Sequence, residues 1–420
     1  MKKLWLGVLL LCGMVLSLGA AMAADYTWNG NIGTNNASNL GVGIGDTITI
    51  GQNAVGLLRL DVNDVTLTGN IGINPPSTGS EIGIDIIING GKVTFSNLEI
   101  WATPLNFTTN RPMITFTPPA PADITVILDG MNNIKKSSDT TNAIAAIASW
   151  NANLFFEGSG KAWSNTPSFA KSGGLAIFSE TENASSGSHG IAVFSGNLSV
   201  TNCYISTHGG IYAFPGVPAG PFLCGSGIYM ESLTGSGFGI TVNSGRLDAH
   251  GGYGRGQSDS GGAGITLKDQ TSFIILRSGR LAAEGGTSRN SSQAMAVSMA
   301  RAIDFVPIPP AEPTELVMAG GGVTKNHAFT KPSGWEFLVS GIDRSTNEPY
   351  EARYMDNRIV IPISDNGKIP TVITLVPPLP ETAPVPATGD NSKLLFYLGM
   401  LGMFAIGLAW SSVRRRTVKK

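Results

Sequence analysis

The feature that most constrains this fold is a short sequence repeat. Residues 239–252 read Gly-Ile-Thr-Val-Asn-Ser-Gly-Arg-Leu-Asp-Ala-His-Gly-Gly, and residues 273–286 read Phe-Ile-Ile-Leu-Arg-Ser-Gly-Arg-Leu-Ala-Ala-Glu-Gly-Gly. The copies start 34 residues apart and share Ser-Gly-Arg-Leu and a closing Gly-Gly. Weaker versions occur at residues 88–93 and 194–198. Because a two-strand unit cannot bury its own apolar face, the repeat predicts units that stack on one another.

Apolar and polar residues alternate through most of the chain. Short runs with a period of two predict β-strands, and the Gly, Asn, Asp and Ser residues between them are typical of turns. Examples are Ile82-Gly83-Ile84-Asp85-Ile86, Ile124-Thr125-Val126-Ile127-Leu128 and Ile240-Thr241-Val242. No window before the C-terminal apolar run has the pattern of a long amphipathic helix. The sequence therefore predicts an all-β fold, and the repeat favours a right-handed parallel β-helix over a row of β-sandwiches.

The strand pattern is interrupted at residues 307–313. Pro307, Pro309, Pro310 and Pro313 lie there, and proline cannot donate a backbone hydrogen bond to a sheet. We interpret this stretch as a linker between a repeat region, residues 24–306, and a small β domain, residues 314–376. A segment of about sixty residues is near the lower limit for independent stability, so it is equally suited to cap the end of the stack.

The first 23 residues have the three parts of a secretory signal peptide. Lys2 and Lys3 form a positive start, residues 4–18 are apolar, and Ala21 and Ala23 supply the small side chains of a cleavage site. Cleavage after Ala23 makes Ala24 the first residue of the mature chain. The sequence therefore predicts an exported protein.

Two cysteines, Cys203 and Cys224, lie outside the signal peptide. Their spacing leaves two interpretations open, namely one disulfide formed outside the cell or two small buried apolar side chains. Two cysteines and four scattered histidines give no metal-binding pattern. We therefore predict no metal and no cofactor.

The last forty-odd residues combine three elements. A Pro-rich tether spans residues 377–390, an apolar stretch spans residues 391–413, and a basic tail spans residues 414–420. The tether contains the motif Val385-Pro386-Ala387-Thr388-Gly389. The apolar stretch is long enough to cross a bilayer as one helix, and the basic tail favours the cytoplasmic side.

This order resembles the C-terminal sorting signal of sortase substrates, which are bacterial surface proteins with a Leu-Pro-X-Thr-Gly motif. Val385 stands at the Leu position of that pattern, and a second near-match at residues 379–383 ends in Ala383. The resemblance implies that a sortase, a membrane cysteine transpeptidase, cuts between Thr388 and Gly389. It would join the Thr388 carboxyl group to a peptidoglycan amine. The implied location is the cell wall, after transient anchoring by the apolar helix; an uncut single-pass anchor is the alternative.

The repeat region carries a second resemblance. Gly225-Ser226-Gly227-Ile228 precedes one strong copy of the repeat, and Gly262-Ala263-Gly264-Ile265 precedes the other. With these units, residues 124–286 resemble exported bacterial surface proteins built from Gly-rich β-repeats. That class implies an adhesin-like or carbohydrate-binding function.

The predicted mature chain is acidic. Of 28 basic residues, eight lie in residues 1–23 or after Thr388, whereas only Asp390 among the 29 acidic residues does. The part between carries a net charge of about −8, which disfavours nucleic acid and anionic membrane surfaces as partners.

The sequence contains no complete catalytic motif of the serine-hydrolase, Walker, zinc-protease or Cys-x-x-Cys kind. The nearest candidates for polysaccharide chemistry are Asp248, His250, Arg255 and Asp259. Asp248 and His250 are two apart on a predicted strand, so they project from one face, as acid-base catalysis would require. The equivalent positions of the next copy hold Ala282 and Glu284, so the pair is not repeated. We therefore predict a protein that is not an enzyme.

Carbohydrate binding is the function that the repeat region favours. Aromatic rings stack on sugar rings, and neighbouring amides hydrogen-bond to hydroxyl groups. Candidate platform residues are Trp150, Trp163, Tyr204, Tyr212, Tyr229 and Tyr253. We predict a displayed adhesin or glycan-binding protein whose partners are a sortase, peptidoglycan and a glycan or host surface ligand. A polysaccharide-acting lyase or glycoside hydrolase and a structural spacer are the alternatives.

Overall fold

The computed structural model contains strands from Asp25 to Val376. It describes residues 23–30, 34–51, 54, 56–72, 82–101, 111–138, 144–159, 173–181, 188–212, 224–232, 237–254, 261–269, 271–287, 294, 296–298, 303–307, 314–319, 329–342, 346–357, 359 and 371–377. The predicted signal peptide before Ala23, the sorting motif at residues 385–389 and the predicted membrane helix at residues 391–413 lie outside these residues.

The described residues form 29 strands and one short 3-10 helix, η1, at Ser38–Leu40. The first strands are β1 Asp25–Trp28, β2 Thr34–Asn36, β3 Thr47–Ile50, β4 Gly56–Leu60, β5 Val65–Gly72, β6 Ile82–Ile86, β7 Gly91–Trp101, β8 Ile114–Phe116, β9 Ala122–Asp129 and β10 Met131–Ser138. The middle strands are β11 Ala145–Trp150, β12 Ala152–Gly158, β13 Gly174–Thr181, β14 His189–Phe194, β15 Leu198–Thr201, β16 Cys203–Tyr212, β17 Ile228–Glu231, β18 Gly239–Val242, β19 Gly245–His250 and β20 Ile265–Leu267. The last are β21 Phe273–Leu276, β22 Gly279–Glu284, β23 Val297–Ser298, β24 Ile303–Phe305, β25 Thr314–Ala319, β26 Phe329–Thr330, β27 Glu336–Ile342, β28 Pro349–Tyr354 and β29 Thr371–Val376.

The strands pair in parallel with strands further along the chain, and these pairs form three ladders. The first ladder runs β1, β3, β5, β7, β9, β12, β15, β18, β21, β24 and β26. The second runs from the later halves of β5 and β7 through β10, β13, β16, β19, β22 and β25. The third is the nine-stranded sheet β2, β4, β6, β8, β11, β14, β17, β20 and β23. This arrangement confirms the all-β prediction and is compatible with a β-helix, whereas β-sandwiches pair their strands antiparallel.

The three ladders enclose one apolar core. Within the third ladder, one isoleucine from each of six successive strands stands in register and is fully buried: Ile84, Ile114, Ile147, Ile191, Ile228 and Ile265. The first ladder contributes a similar inner column: Val126, Phe156, Val200, Val242, Leu276 and Phe305. Each fully buried side chain of this size contributes about 1.5–3 kcal/mol, so the period-two pattern directs the stacking.

Asparagine side chains hold the corner between the third and first ladders. Asn153 Oδ1 accepts a hydrogen bond from the Asn197 backbone N–H at 2.9 Å, and Asn197 Oδ1 accepts one from the Gly239 N–H at 2.9 Å. These amides satisfy backbone donors that have no strand partner at a corner. The scattered Asn residues of the sequence therefore link one coil to the next.

The repeat length equals one coil of the stack. β19 and β22 pair Arg246 with Arg280 and Leu247 with Leu281, which is the 34-residue offset of the sequence copies. The weaker copy at residues 194–198 occupies a different corner, because it leads into the first ladder. The structural equivalent of Gly245 in the preceding coil is Cys203.

The segment after the Pro-rich stretch joins the same sheet. β25 pairs parallel with β22 and antiparallel with β29, and β27 pairs antiparallel with both β28 and β29. The chain up to Val376 forms one compact unit, whereas the unit from Pro377 onward is described only at Pro377. Within the described part of the chain, no helix is long and apolar enough to span a membrane.

Candidate functional site

A row of stacked rings lies on the outer side of the third ladder. Trp150 ends β11 and Phe194 ends β14, at positions directly opposite in register. Their rings stack with centroids 5.2 Å apart and an interplanar angle of 16°. Phe194 is tilted against Tyr229 at 6.1 Å, and Tyr229 stacks on His189 at 4.3 Å and 14°. We call these four residues the aromatic patch.

The patch lies on alanines. Ala145, Ala148 and Ala192 are fully buried, and together with Tyr229 they form an apolar cluster distinct from the main core. The register aligns Ala148 with Ala192 and Ala192 with Tyr229. Because alanine projects only a methyl group from the sheet, the neighbouring large rings can lie across it. The Ala-rich strand β11 therefore packs beneath the rings of the aromatic patch.

Charged groups border the patch beside Tyr229. The Tyr229 hydroxyl donates to Glu231 Oε2 at 2.5 Å, and Lys268 Nζ lies 5.1 Å from the Tyr229 ring centroid. Lys268 Nζ is also 3.9 Å from Glu231 Oε1. Burial, followed by the hydrogen bond to Glu231, raises the pKa of Tyr229. Its hydroxyl is therefore a neutral donor at neutral pH, with Glu231 and Lys268 beside it.

His189 is neutral at physiological pH. Burial and then the positive charge of Lys268 lower the pKa of His189 to about 4. The Ser226 backbone N–H donates to His189 Nδ1 at 2.9 Å, so the neutral ring carries its proton on Nε2. The imidazole thus adds a flat, uncharged ring to the patch and one further hydrogen-bond donor.

The partly exposed rings of the aromatic patch, with their polar neighbours, are suited to contact with carbohydrate. Sugar rings present C–H faces that stack on aromatic rings, while their hydroxyl groups need hydrogen-bond partners. Trp150 and Phe194 are both half-buried and so keep part of each ring at the surface. Glu231 and Lys268 provide an acceptor and a donor beside the rings.

A second row of rings follows the outer side of the second ladder. Phe178 stacks on His208 at 4.6 Å and 12°, and His208 stacks on His250 at 4.4 Å and 7°. Glu284 continues the row on the next strand, with Oε2 3.0 Å from His250 Nδ1. Burial and then His250 lower the pKa of His208 to about 4, and the hydrogen bond from His250 lowers that of Glu284.

Asp248 lies beside this row but is fully engaged. It is 3% exposed, and its carboxylate accepts hydrogen bonds from Arg246 Nε at 2.8 Å and from the Tyr204 hydroxyl at 2.9 Å. Arg246 also packs over the Tyr204 ring. β16 and β19 pair Ser206 with Asp248 and His208 with His250. Asp248 and His250 therefore share a face, as the sequence predicted, but both carboxylate oxygens of Asp248 already accept hydrogen bonds.

The structure separates the predicted platform residues. Trp150 and Tyr229 lie together in the aromatic patch, Tyr204 lies on the second ladder, and Tyr253 is 40% exposed beyond the end of β19. Trp163, Arg255, Asp259 and the side chain of Tyr212 lie outside the described residues.

Phe194 and His189 complete the patch, and the sequence interpretation missed them. They belong to β14, which reads His-Gly-Ile-Ala-Val-Phe. An alignment of Phe194 with Trp150 would have found them, because each is the last residue of a strand with alternating apolar residues in the same ladder. The weak copy at residues 194–198 instead directed attention to the turn after Phe194.

The two cysteines form no disulfide with each other in the structure. Cys203 is fully buried at a corner, and Cys224 is also buried. Of the two interpretations, the geometry matches the one with two small buried side chains. Burial raises the pKa of Cys203 to about 12, so this thiol is unreactive at neutral pH. Among the described residues no group of three His, Cys, Asp or Glu side chains is placed to hold a metal ion.

No protein-family model, curated protein or solved structure matches this chain. Function is therefore argued from the geometry of its surfaces.

Proposed function

We propose that this protein is a non-catalytic bacterial surface protein that binds glycans. In this proposal the parallel ladders form a right-handed β-helix, the handedness that parallel strand crossovers almost always take. A sortase attaches the chain to peptidoglycan through Thr388, and the stacked body presents its outer faces to a glycan or host surface ligand.

The observation that carries the binding function is the aromatic patch. Four rings lie side by side on one face of the stack, with Tyr229 buried and Trp150 and Phe194 partly exposed. A core needs no such row, because the apolar interior is already filled from the inner faces of the three ladders. Large aromatic side chains with a polar border are typical anchors of binding sites.

The test of binding is a glycan array with the full-length protein and two single variants, Trp150→Ala and Phe194→Ala. Each variant removes a partly exposed ring of the aromatic patch and is expected to weaken binding at least tenfold, which corresponds to about 1.4 kcal/mol. Dissociation constants for the best array ligand can be measured by titration calorimetry.

Phe178→Ala is the matched control for the binding test. It also removes a half-buried ring from a ring row, but on the second ladder, so it should leave the affinity unchanged. If Phe178→Ala weakens binding as much as Trp150→Ala, the patch is not the site. If the parent protein binds no glycan or matrix protein, the structural spacer is the better interpretation.

The proposed attachment to the cell wall can be tested separately from binding. We expect protein released from the wall by a peptidoglycan hydrolase to end at Thr388 with a peptidoglycan fragment attached, as read by mass spectrometry. Thr388→Ala should leave the chain in the membrane fraction, because it removes the Thr that the Leu-Pro-X-Thr-Gly pattern requires at the cut. A wall-released chain that still ends at Lys420 would refute sorting.

A polysaccharide-acting enzyme is the second candidate. It is favoured by the row that brings His208, His250 and Glu284 to one outer face. The same glycans, incubated with the parent protein, distinguish the two functions. Shortened chains that are no longer produced by His250→Ala would support catalysis, and unchanged chains support binding alone.

A further inference from the structure

The first residue of the predicted mature chain contacts a nearly buried carboxylate. The Ala24 backbone N–H donates to Asp46 Oδ1 at 2.7 Å, and Asp46 is 7% exposed. The other oxygen, Oδ2, accepts a hydrogen bond from the Gly43 N–H at 2.7 Å. The hydrogen bond from Ala24, followed by that from Gly43, lowers the pKa of Asp46, so the carboxylate is ionised at neutral pH.

Ala24 is also the point at which the stack begins. Its carbonyl oxygen accepts a hydrogen bond from the Thr47 N–H at 2.9 Å, and the next residue, Asp25, starts β1 opposite Thr47 in β3. Ala23, one residue earlier, is exposed. A chain cut after Ala23 therefore keeps every ladder contact of β1, and its new terminus lies at the position of the Ala24 nitrogen.

We propose that the Asp46 carboxylate binds the N-terminal ammonium that forms when the signal peptide is removed. This inference rests on the export that the proposed function includes. A signal peptidase adds water across the Ala23–Ala24 peptide bond. Ala23 leaves with a carboxylate, and the Ala24 nitrogen takes up a proton to become an ammonium, so no other reactant is needed. The hydrogen bond from an uncharged amide to the Asp46 carboxylate thereby becomes an ion pair.

The ion pair would fasten the free end of the first coil. Asp46 is joined to the turn at Gly43 through Oδ2, and its own carbonyl accepts a hydrogen bond from the Thr66 N–H of β5 at 2.8 Å. The same residue thus connects the new terminus, the turn and the next coil. Removal of the signal peptide would in this way stabilise the first coil, because chain termini are poorly ordered unless they are tied down.

The experiment measures the reactivity of the α-amine in the protein that cells export. Intact mass first establishes that the chain starts at Ala24. Acylation of the α-amine at pH 7 is then expected to be about tenfold slower than in Asp46→Asn, because an ion pair that raises the amine pKa by one unit reduces the reactive neutral fraction tenfold. Asp25→Asn is the control, since this exposed carboxylate adjoins Ala24 and should change the rate little.

Three results would overturn the proposal. The first is an acylation rate in the parent protein equal to that in Asp46→Asn. The second is an increase in rate in Asp25→Asn as large as that in Asp46→Asn. The third is a mature chain that starts at a residue other than Ala24. Should Asp46→Asn fold poorly, the parent protein acetylated at Ala24 replaces it, because acetylation keeps an N–H donor but removes the charge. The acetylated protein should then melt at a lower temperature than the free amine. An unprocessed chain in the intact mass would contradict export itself, so that failure is separate from a failure at Asp46.

Discussion

Gly252→Ala should lower the free energy of unfolding by about 3 kcal/mol or more, the upper end of what overpacking costs. A Cβ atom at Gly252 would lie 1.9 Å from the Gly210 carbonyl oxygen and 2.8 Å from its carbon. Both are backbone atoms of a neighbouring coil, so they cannot rotate away. The Gly252 N–H also donates to the Gly225 carbonyl at 2.7 Å, and separation of the coils would break that bond. The shift can be measured as the midpoint of urea unfolding by far-ultraviolet circular dichroism.

Gly237→Ala is the control for this prediction. Its Cβ would meet the nearest atom, the Thr271 carbonyl oxygen, at 3.4 Å, which is an ordinary contact. The expected change is within about 0.5 kcal/mol, as for most surface substitutions. Equal stability of the two variants would show that the coils can separate at Gly252 without loss, which contradicts the close packing described here.

Phe156→Ala should lower the free energy of unfolding by about 3–5 kcal/mol, as large-to-small changes of buried aromatic residues do. Phe156 is fully buried and stands in register between Val126 and Val200 in the inner column of the first ladder. Its removal leaves a cavity bounded by two stacked coils, which the backbone ladders prevent from closing. The same urea titration measures the effect.

Phe155→Ala provides the control from the next residue of β12. Phe155 pairs with Thr125 and Ser199 and points to the outer face, where it is only half-buried. We expect its loss to cost clearly less than the loss of Phe156. A reversed order would mean that the inward and outward faces of β12 have been assigned wrongly.

Parallel stacking explains how this chain builds its surfaces. In a parallel ladder, a residue at a given position of one strand lies beside its equivalent in the next coil. Similar residues at that position therefore form a row along the stack. Phe178, His208 and His250 form such a row on the second ladder, and Trp150 and Phe194 form one on the third. Rows of similar side chains on these surfaces arise when one register position is occupied alike in successive coils.

The site was predictable only in part. The sequence singled out Trp150 and Tyr229 as aromatic residues in a strand-rich region, and both lie in the patch. It grouped Tyr204 with them, although Tyr204 lies on another ladder, where it binds Asp248. A list of aromatic residues carries no information on which of three faces each one occupies. That assignment depends on how many residues each corner takes, and the corners vary in length along this chain.

What the sequence determined by itself is the class of fold and the length of a coil. Period-two alternation requires strands with one buried face. The offset of the Ser-Gly-Arg-Leu copies is the number of residues in one coil, because identical residues stack in register. Only the tertiary structure decided which rings meet and which carboxylates are engaged. Glu284 appeared in the sequence as a break in the Asp248 and His250 pattern, yet in space it is the partner of His250. Contacts between successive coils join residues that are 19 to 44 positions apart. Their geometry is set by the register of the ladders, which local pattern does not encode.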